Sequence, residues 1–447
     1  MLSQVSPPAA GPLFSAIDLA GRRCVIAAVS GGGDSLALLL LLHDYLKSAQ
    51  SGPSLLAVTV DHGLRPEAAE EARAVGRLCA AHGIAHRVLR WEGRKPATGL
   101  SAAAREARLR LLAGAADEAG SDLVLTGHAA DDQAETLAMR LKRGGGRGTA
   151  GIAPATLYDG RVWFVRPLLG ARRSALRRLL QAQGIGWFED PSNKDRRFER
   201  ARVRQTLDEE DVERLVDRAR ETGLAREEAG EHAATFISGT TRLVVPGLLC
   251  LPHSALRQAE ESVALYTLRI LLAVAGGTQH LPDETRTAAI LARAGDEGFR
   301  ATLSRAVIAA RRGGLYIHRE RRNLPRLAVA GGMIWDGRYR VQVRETPSDL
   351  MLAPFGTENV RASELADLDA PAGLARSALA AEPALWRDGR FLGRASEGAA
   401  VSLQSVAGPW ARFLPTFDLA PARAVAKVIG GATIQPSPWR GHKGDNR

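Results

Sequence analysis

The sequence predicts an α/β fold: a doubly wound parallel sheet with helices on both faces, with additional helical and small mixed α/β C-terminal modules. Three observations predict it. From residue 24 to about 142, short apolar runs alternate with stretches of helix length. Runs such as Val25–Val29 lack polar alternation, as a strand buried on both faces requires. And three of these runs end in a polar cluster, at Ser30–Ser35, Asp61–Arg65 and Thr126–Glu135, where open sheets of this kind bind ligands.

Taken in order, the first strand runs into Ser30-Gly31-Gly32-Gly33-Asp34-Ser35, and a leucine-rich helix follows directly. Leu55–Val60 is the second strand; Pro66 stands at a helix start, Glu67–His82 has helical spacing, and Gly83 stops it. His86–Trp91 is the third strand, Gly99–Glu118 a helix, and Asp122–Thr126 the fourth strand, leading to a helix that opens with Asp131-Asp132-Gln133. Lys142–Gly148 is a basic glycine loop, and a short β pair surrounds Trp163–Val165. Arg172–Gln183 is a very basic helix stopped by Gly184, and Trp187–Lys194 has turn chemistry. The first domain is expected to span 1–207. A long charged helix, Asp208–Phe236, opens a helical middle domain of 208–300, which includes helices at Leu251–Ala275 and Thr285–Ala294. The third domain, 301–447, carries strands at Thr302–Ala310, Gly314–Arg319, Leu327–Trp335 and Arg338–Arg344, and the last ten residues read as a disordered basic tail.

Composition narrows the partners. Lys+Arg 60 against Asp+Glu 49 gives +11 over 447 residues, with a pI near 10.2. That excess favours a polyanion, RNA or DNA ahead of lipid, the alternative being that the Arg-rich composition merely reflects a GC-rich genome. Cys24, Cys79 and Cys250 are far apart with no C-x-x-C, which argues against a disulfide framework, a zinc ribbon and an iron–sulfur cluster. No apolar run is long enough to span a membrane and no leader pattern opens the chain, so the expected location is cytoplasmic.

The chemistry-bearing residues follow from the strand ends. Three glycines before a helix N-terminus let backbone N–H groups approach a phosphate, and Ser30 and Ser35 add hydroxyls. The loop lacks the Lys of a Walker loop and the last glycine of a dinucleotide fingerprint. Asp34 either caps the helix or holds a metal. Asp132 and Glu135, three apart, share a helix face with Asp131 beside them, and they serve either Mg²⁺ or the helix dipole. Arg105 and Arg108 share a face suited to phosphates, while His62 and His128 follow strand ends as either bases or structural histidines.

With those residues in view, Ser30–Ser35 resembles the PP-loop of the ATP pyrophosphatases, which belong to an adenine nucleotide alpha hydrolase-like fold. Val60–Arg65, Ala104–Arg108, Thr126–His128 with Asp131–Thr136, Arg166–Leu169 and Asp190–Asn193 together resemble the tRNA(Ile)-lysidine synthetase family, in the family's order. The chain departs from that pattern at Ala129, Leu109 and Ala201. The resemblance implies ATP-dependent ligation of L-lysine to C2 of the wobble cytidine of tRNA(Ile) with a CAU anticodon. An adenylated tRNA is the intermediate, and AMP and pyrophosphate are released. It implies ATP and Mg²⁺ as cofactors and is compatible with a homodimer.

On that reading Ser30, Gly31, Gly32, Gly33, Asp34, Ser35, Asp61, Gly127 and His128 bind the nucleotide. Asp34, Arg108, Asp132 and Glu135 are catalytic, and Asp34 and Asp132 hold Mg²⁺. Arg172, Arg173 and Arg177 are expected on tRNA. The alternatives are a thiolase-type PP-loop tRNA enzyme, a small-molecule PP-loop ligase such as an NAD-synthetase-like enzyme, and a non-catalytic RNA-binding protein. The absence of a cysteine set, the basic 142–204 segment and the intact acidic residues weigh against these in turn.

Overall fold

Cys24–Ala28 forms β1, with all five residues buried, and it is the strand on which the N-terminal sheet is built. The structure is a computed structural model that describes residues 8–49, 52–65, 67–190, 195–344, 349–366, 368–395 and 401–441. Pro66, Pro191–Lys194 and the final six residues, to which several expectations attach, lie outside the described residues. The chain divides into two units. One comprises Met1–Arg226, Pro415–Phe417 and Pro436–Arg447; the other comprises Glu227–Leu414 and Asp418–Gln435.

In the first unit a short helix, α1 (Ala10–Ser15), precedes β1 and buries Phe14. There follow α2 (Gly33–Ser48), β2 (Ser54–Asp61), α3 (Ala68–Ala81), β3 (Ala85–Arg90), α4 (Leu100–Glu118), β4 (Leu123–Thr126) and α5 (Ala130–Lys142). The strands pair in the order β5-β6-β4-β1-β2-β3, where β5 is Ala155–Tyr158 and β6 is Val162–Val165. β1 lies parallel to both β2 and β4, with Val25 opposite Leu55 and Ala28 opposite Thr126. The chain leaves β1 through β2 and β3 on one side and returns through β4 on the other. That reversal opens a crevice at the carboxyl ends of β1 and β4. β5 runs antiparallel to β6, so these six strands are parallel except at that pair. The reason is the short Asp159–Gly160 turn, too short for a parallel crossover.

Ile26, Val58, Val124 and Phe164 pack with Leu112 and Ala116 of α4 as one core. α6 (Arg173–Ala182), α7 (Glu199–Arg204) and the long α8 (Glu209–Thr240) complete the helices that begin in this unit. Cys24 and Cys79 are buried, as is Cys250 in the other unit, and none forms a disulfide.

The second unit contains a five-stranded antiparallel sheet in the order β7-β8-β11-β10-β9. Its elements are β7 (Arg242–Val245), β8 (Leu248–Leu251), α9 (His253–Gln258), α10 (Glu261–Gly276), α11 (Glu284–Leu291), β9 (Arg300–Leu303), β10 (Ala306–Arg311) and β11 (Gly314–Arg319). Here several expectations are corrected. Leu251 ends a strand rather than opening a helix, and extended Ala259 and Glu260 split the helix expected over Leu251–Ala275. The strand expected over Thr302–Ala310 is a hairpin, because Ser304 and Arg305 take positive φ of 48° and 62°. Leu327–Trp335 is two two-residue strands in different sheets, separated by Gly331-Gly332.

Candidate active site

The loop after β1 is shaped by its own hydroxyls. Gly31 has φ +83°, and a Cβ there would also lie 3.2 Å from Cδ2 of Phe188, so glycine is required twice over. Ser35 Oγ accepts from the Ser30 N–H at 3.1 Å and donates to the Gly32 carbonyl at 2.9 Å. Its hydroxyl is therefore spent on holding the turn, and Ser30 Oγ lies 3.2 Å from it while remaining exposed at the cleft. The first turn of α2 faces the same cleft with its positive dipole end.

Asp34, in that first turn, receives Arg173 Nε on Oδ2 at 3.0 Å, while Oδ1 is buried with no partner among the described residues. Burial pushes its carboxyl up; Arg173 opposes that and Asp132 adds to it. An unpaired buried carboxylate oxygen beside a phosphate-type loop fits a cation. Mg²⁺ suits such a place, since it takes one or two carboxylates with phosphate oxygens and retains water.

Asp132 does not fit that task equally well. Its Oδ2 accepts the Ala129 N–H at 2.8 Å, and Oδ1 accepts from Arg173 at 2.8 Å and Arg200 at 2.9 Å. Glu135, 1% exposed, takes Arg204 Nε on Oε1 at 2.6 Å, Arg200 Nε on Oε2 at 2.7 Å and Arg173 on Oε1 at 3.3 Å. Burial pushes the Glu135 carboxyl up, but the bonds from Arg204 and Arg200 outweigh it and leave the group below its usual range. Asp131, on the same helical turn, points elsewhere: its Oδ2 accepts the Arg173 N–H at 2.8 Å at the start of α6. Among the described residues no group of three or more His, Cys, Asp or Glu is placed to hold a metal.

Two clefts meet over the loop. One, of about 370 Å³, lies at the ends of β1 and β2 and has apolar walls including Ala28, Val58, Val60 and Leu112. The other, of about 450 Å³, is lined by Asp34, Gly127, His128, Asp132, Arg173, Trp187 and further charged groups. Ser30, Gly32, Arg108 and Phe188 line both and so mark the seam. Arg108 has no carboxylate partner among the described residues, and burial with neighbouring Arg105 lowers its pKa. A partly buried, uncompensated guanidinium beside a phosphate-type loop is a site waiting for an anion.

His128 Nδ1 lies 3.0 Å from Thr126 Oγ1. Burial, with Arg166, Arg108, Arg105 and Arg200 adding, holds its pKa well below 6.5, so the imidazole is neutral. Gly127 is dictated by packing: a Cβ there would lie 2.7 Å from the Asp34 carbonyl oxygen. Asp61 lines neither cleft. Its Oδ1 accepts the Gly63 N–H at 2.7 Å and so shapes the turn that brings His62, Leu64 and Arg65 to the apolar cleft.

The basic helix does not present the arginines expected on RNA as a surface. Arg173 enters the carboxylate cluster, Arg172 lies 3.6 Å from Asp131, and Arg177 lies 3.0 Å from Glu189 and lines the charged cleft. Sequence reasoning missed Arg173, Arg200, Arg204, Trp187 and Phe188 as cleft residues. Arg200 and Arg204 carry a usable signal, a four-residue spacing on one helix. The departures from the family pattern are explained locally: Ala129 and Ala201 are buried at 0% and 4% exposure, and Leu109 packs against the sheet core.

The second unit holds a larger cavity, about 470 Å³, whose charged lining is paired internally, Arg338 with Glu382 and Arg394 with Glu364.

A phosphate-type loop at the switch point of a largely parallel sheet, with acidic and basic groups converging on it, defines a PP-loop nucleotide-binding protein, and residues 10–210 match the family described as PP-loop domain. Over nearly its whole length the chain is similar to proteins named tRNA(Ile)-lysidine synthase. It is 48% identical to that of Mesorhizobium japonicum over 97% of this chain and 98% of the relative. It is 40% identical to that of Rhizobium meliloti over 93% of each, and 37% identical to that of Brucella anthropi over 95% and 98%. The chain belongs to the tRNA(Ile)-lysidine synthase family.

Proposed function

We propose that this protein uses ATP to join L-lysine to C2 of the wobble cytidine of tRNA(Ile) bearing a CAU anticodon. In the first step cytosine O2 attacks the α-phosphorus of ATP, the bond to the bridging β-oxygen breaks, and pyrophosphate leaves. In the second the lysine side-chain amine attacks C2, a C–N bond forms as the C2–O2 bond breaks, AMP leaves with that oxygen, and the attacking nitrogen loses a proton to solvent. Cytosine O2 is a poor leaving group until it carries AMP, which is why the nucleotide is needed.

The observation that carries this reading is the seam. Adenosine occupies the apolar cleft, the α-phosphate lies over Ser30–Gly33, and Arg108 meets the charge that builds on the phosphoryl oxygens. Asp34 is the group that would hold Mg²⁺, which when bound offsets charge on the departing pyrophosphate. Arg173, Arg200 and Arg204 are held by Asp132 and Glu135 at the cleft wall, where either the carboxylates receive the lysine ammonium or the guanidiniums receive pyrophosphate. Neutral His128 stays a hydrogen-bonding group. We assign the ATP chemistry to 1–207 and tRNA docking to the basic module 301–447, with 208–300 as the helical middle domain and the reaction in the cytoplasm. No helix among the described residues is long and apolar enough to cross a membrane.

The test is incubation with ATP, radiolabelled lysine and tRNA(Ile) bearing CAU. Lysine-dependent AMP release with label in the RNA is expected. ATP turnover without label in RNA would point to another acceptor and overturn the reading.

A further inference from the structure

Trp187 and Phe188 are the large aromatic side chains lining the charged cleft, and they are used differently. The Trp187 ring packs against Gly33, where a Cβ would lie 3.5 Å from Cγ of the indole, and the Arg177 guanidinium stands 5.6 Å from its ring centroid. Trp187 is thus committed to the protein. Phe188 is anchored by its main chain, whose N–H donates to the Gly31 carbonyl at 3.0 Å, yet its side chain is 39% exposed. One edge of the ring rests on Gly31, where a Cβ would lie 3.2 Å from Cδ2, but that contact leaves much of the phenyl exposed above the phosphate-type loop. It is also the aromatic residue shared by both clefts.

We propose that Phe188 is the stacking platform on which the target pyrimidine lies while its O2 is offered to the α-phosphorus. This rests on the reaction proposed above. A base turned out of an anticodon loop loses its neighbours, and a flat aromatic face replaces that stacking without reading sequence. Apart from Trp187, already packed on Gly33, the charged cleft is lined by guanidinium, carboxylate, hydroxyl, imidazole and glycine, which leaves the phenyl ring as its free apolar face. The adenine has a separate home between Ala28, Val58, Val60 and Leu112, so the ring at the seam is left for a second base. Its tie to Gly31 sets the platform's height over the loop, and Arg108 on the same seam is positioned for the charge that follows attack.

The experiment uses the full-length protein with Phe188→Tyr and Phe188→Leu, and tRNA(Ile) carrying pyrrolocytidine at the wobble position, whose fluorescence falls on stacking. Wild type and Phe188→Tyr are expected to quench the probe equally. Phe188→Leu is expected to lose the quench and to lower kcat/KM for unmodified tRNA by roughly 5- to 150-fold, with ATP affinity by equilibrium dialysis within about twofold of wild type. An unchanged quench in Phe188→Leu would overturn the platform, and so would a loss of ATP affinity matching the loss in kcat/KM, which would give the ring to adenine. Quenching by a wild-type protein that adds no lysine would support the platform and refute only the reaction.

Discussion

Replacing Gly127 by alanine tests whether the end of β4 positions the phosphate loop. The added methyl would lie 2.7 Å from the Asp34 carbonyl oxygen, 2.9 Å from its carbonyl carbon and 2.9 Å from Cα of Ser35. All three are backbone atoms, so no side chain can turn away. Ordinary contact begins at 3.4 Å, so relief requires the start of α2 to move by 3.4 − 2.7, about 0.7 Å. Overpacking of this kind costs roughly 1–3 kcal/mol, which in a unit of this size lowers Tm by roughly 2–12 °C. Activity should suffer more, because a misplacement of about 1 Å at a reacting centre costs on the order of 100-fold. tRNA-dependent ATP–pyrophosphate exchange is therefore expected to fall by roughly 10- to 100-fold. Gly120→Ala is the control: Gly120 has φ +61° but nothing within 4 Å of its added Cβ. It should lose about 1 kcal/mol of stability through backbone strain and keep its exchange rate. Exchange by Gly127→Ala within twofold of wild type would refute the reasoning.

Three further outcomes are expected. Arg108→Met should lower the single-turnover rate of adenylation by roughly 100- to 1,000-fold with a cooperative melt retained; a normal rate would remove Arg108 from the phosphate chemistry. Glu135→Gln leaves Arg200 and Arg204 without the buried carboxylate they share, and urea unfolding should show a loss of about 3 kcal/mol, whereas an unchanged midpoint would mean the cluster adds nothing. Burial holds His43, His62, His86, His128 and His318 below their usual 6.5. Below that pH the unfolded chain binds protons the folded chain refuses, so stability is full above about 6.5 and declines as pH falls from there. Thermal melts at about pH 7.5, 6.5 and 5.5 should show Tm dropping over the last interval; a flat profile would mean these imidazoles titrate freely when folded.

The two units differ in how much could be read from the chain. β1, β2 and β4 are apolar runs closed by glycine or polar turns, and local propensity agrees with burial, so their limits emerge within about a residue; β3, the mostly exposed edge strand, emerges as closely although it carries His86, Arg87 and Arg90. In the second unit the strands are two to six residues long and paired by antiparallel hairpins. The turn at Ser304-Arg305 uses positive φ in residues that do not advertise it, so one apolar stretch conceals two strands, whereas the Asp336-Gly337 turn separates the strands expected on either side of it.

At the site, the sequence by itself determined the loop Ser30–Ser35, the helix-face pair Asp132 and Glu135, Arg108, and the family to which the chain belongs. Each is a local pattern, a spacing along one element or a motif in fixed order, and local patterns survive without coordinates. Only the tertiary structure decided what those groups face. It brought Arg173, Arg200 and Arg204 from two later helices onto carboxylates as many as 139 positions earlier, and so engaged Oδ1 of Asp132, whose Oδ2 the Ala129 N–H already holds, while leaving Oδ1 of Asp34 without a partner among the described residues. It turned Asp61 to its own loop and set Phe188 above Gly31. Charge pairing and stacking depend on distances between segments far apart in sequence, and those distances exist only once the sheet has closed around its core.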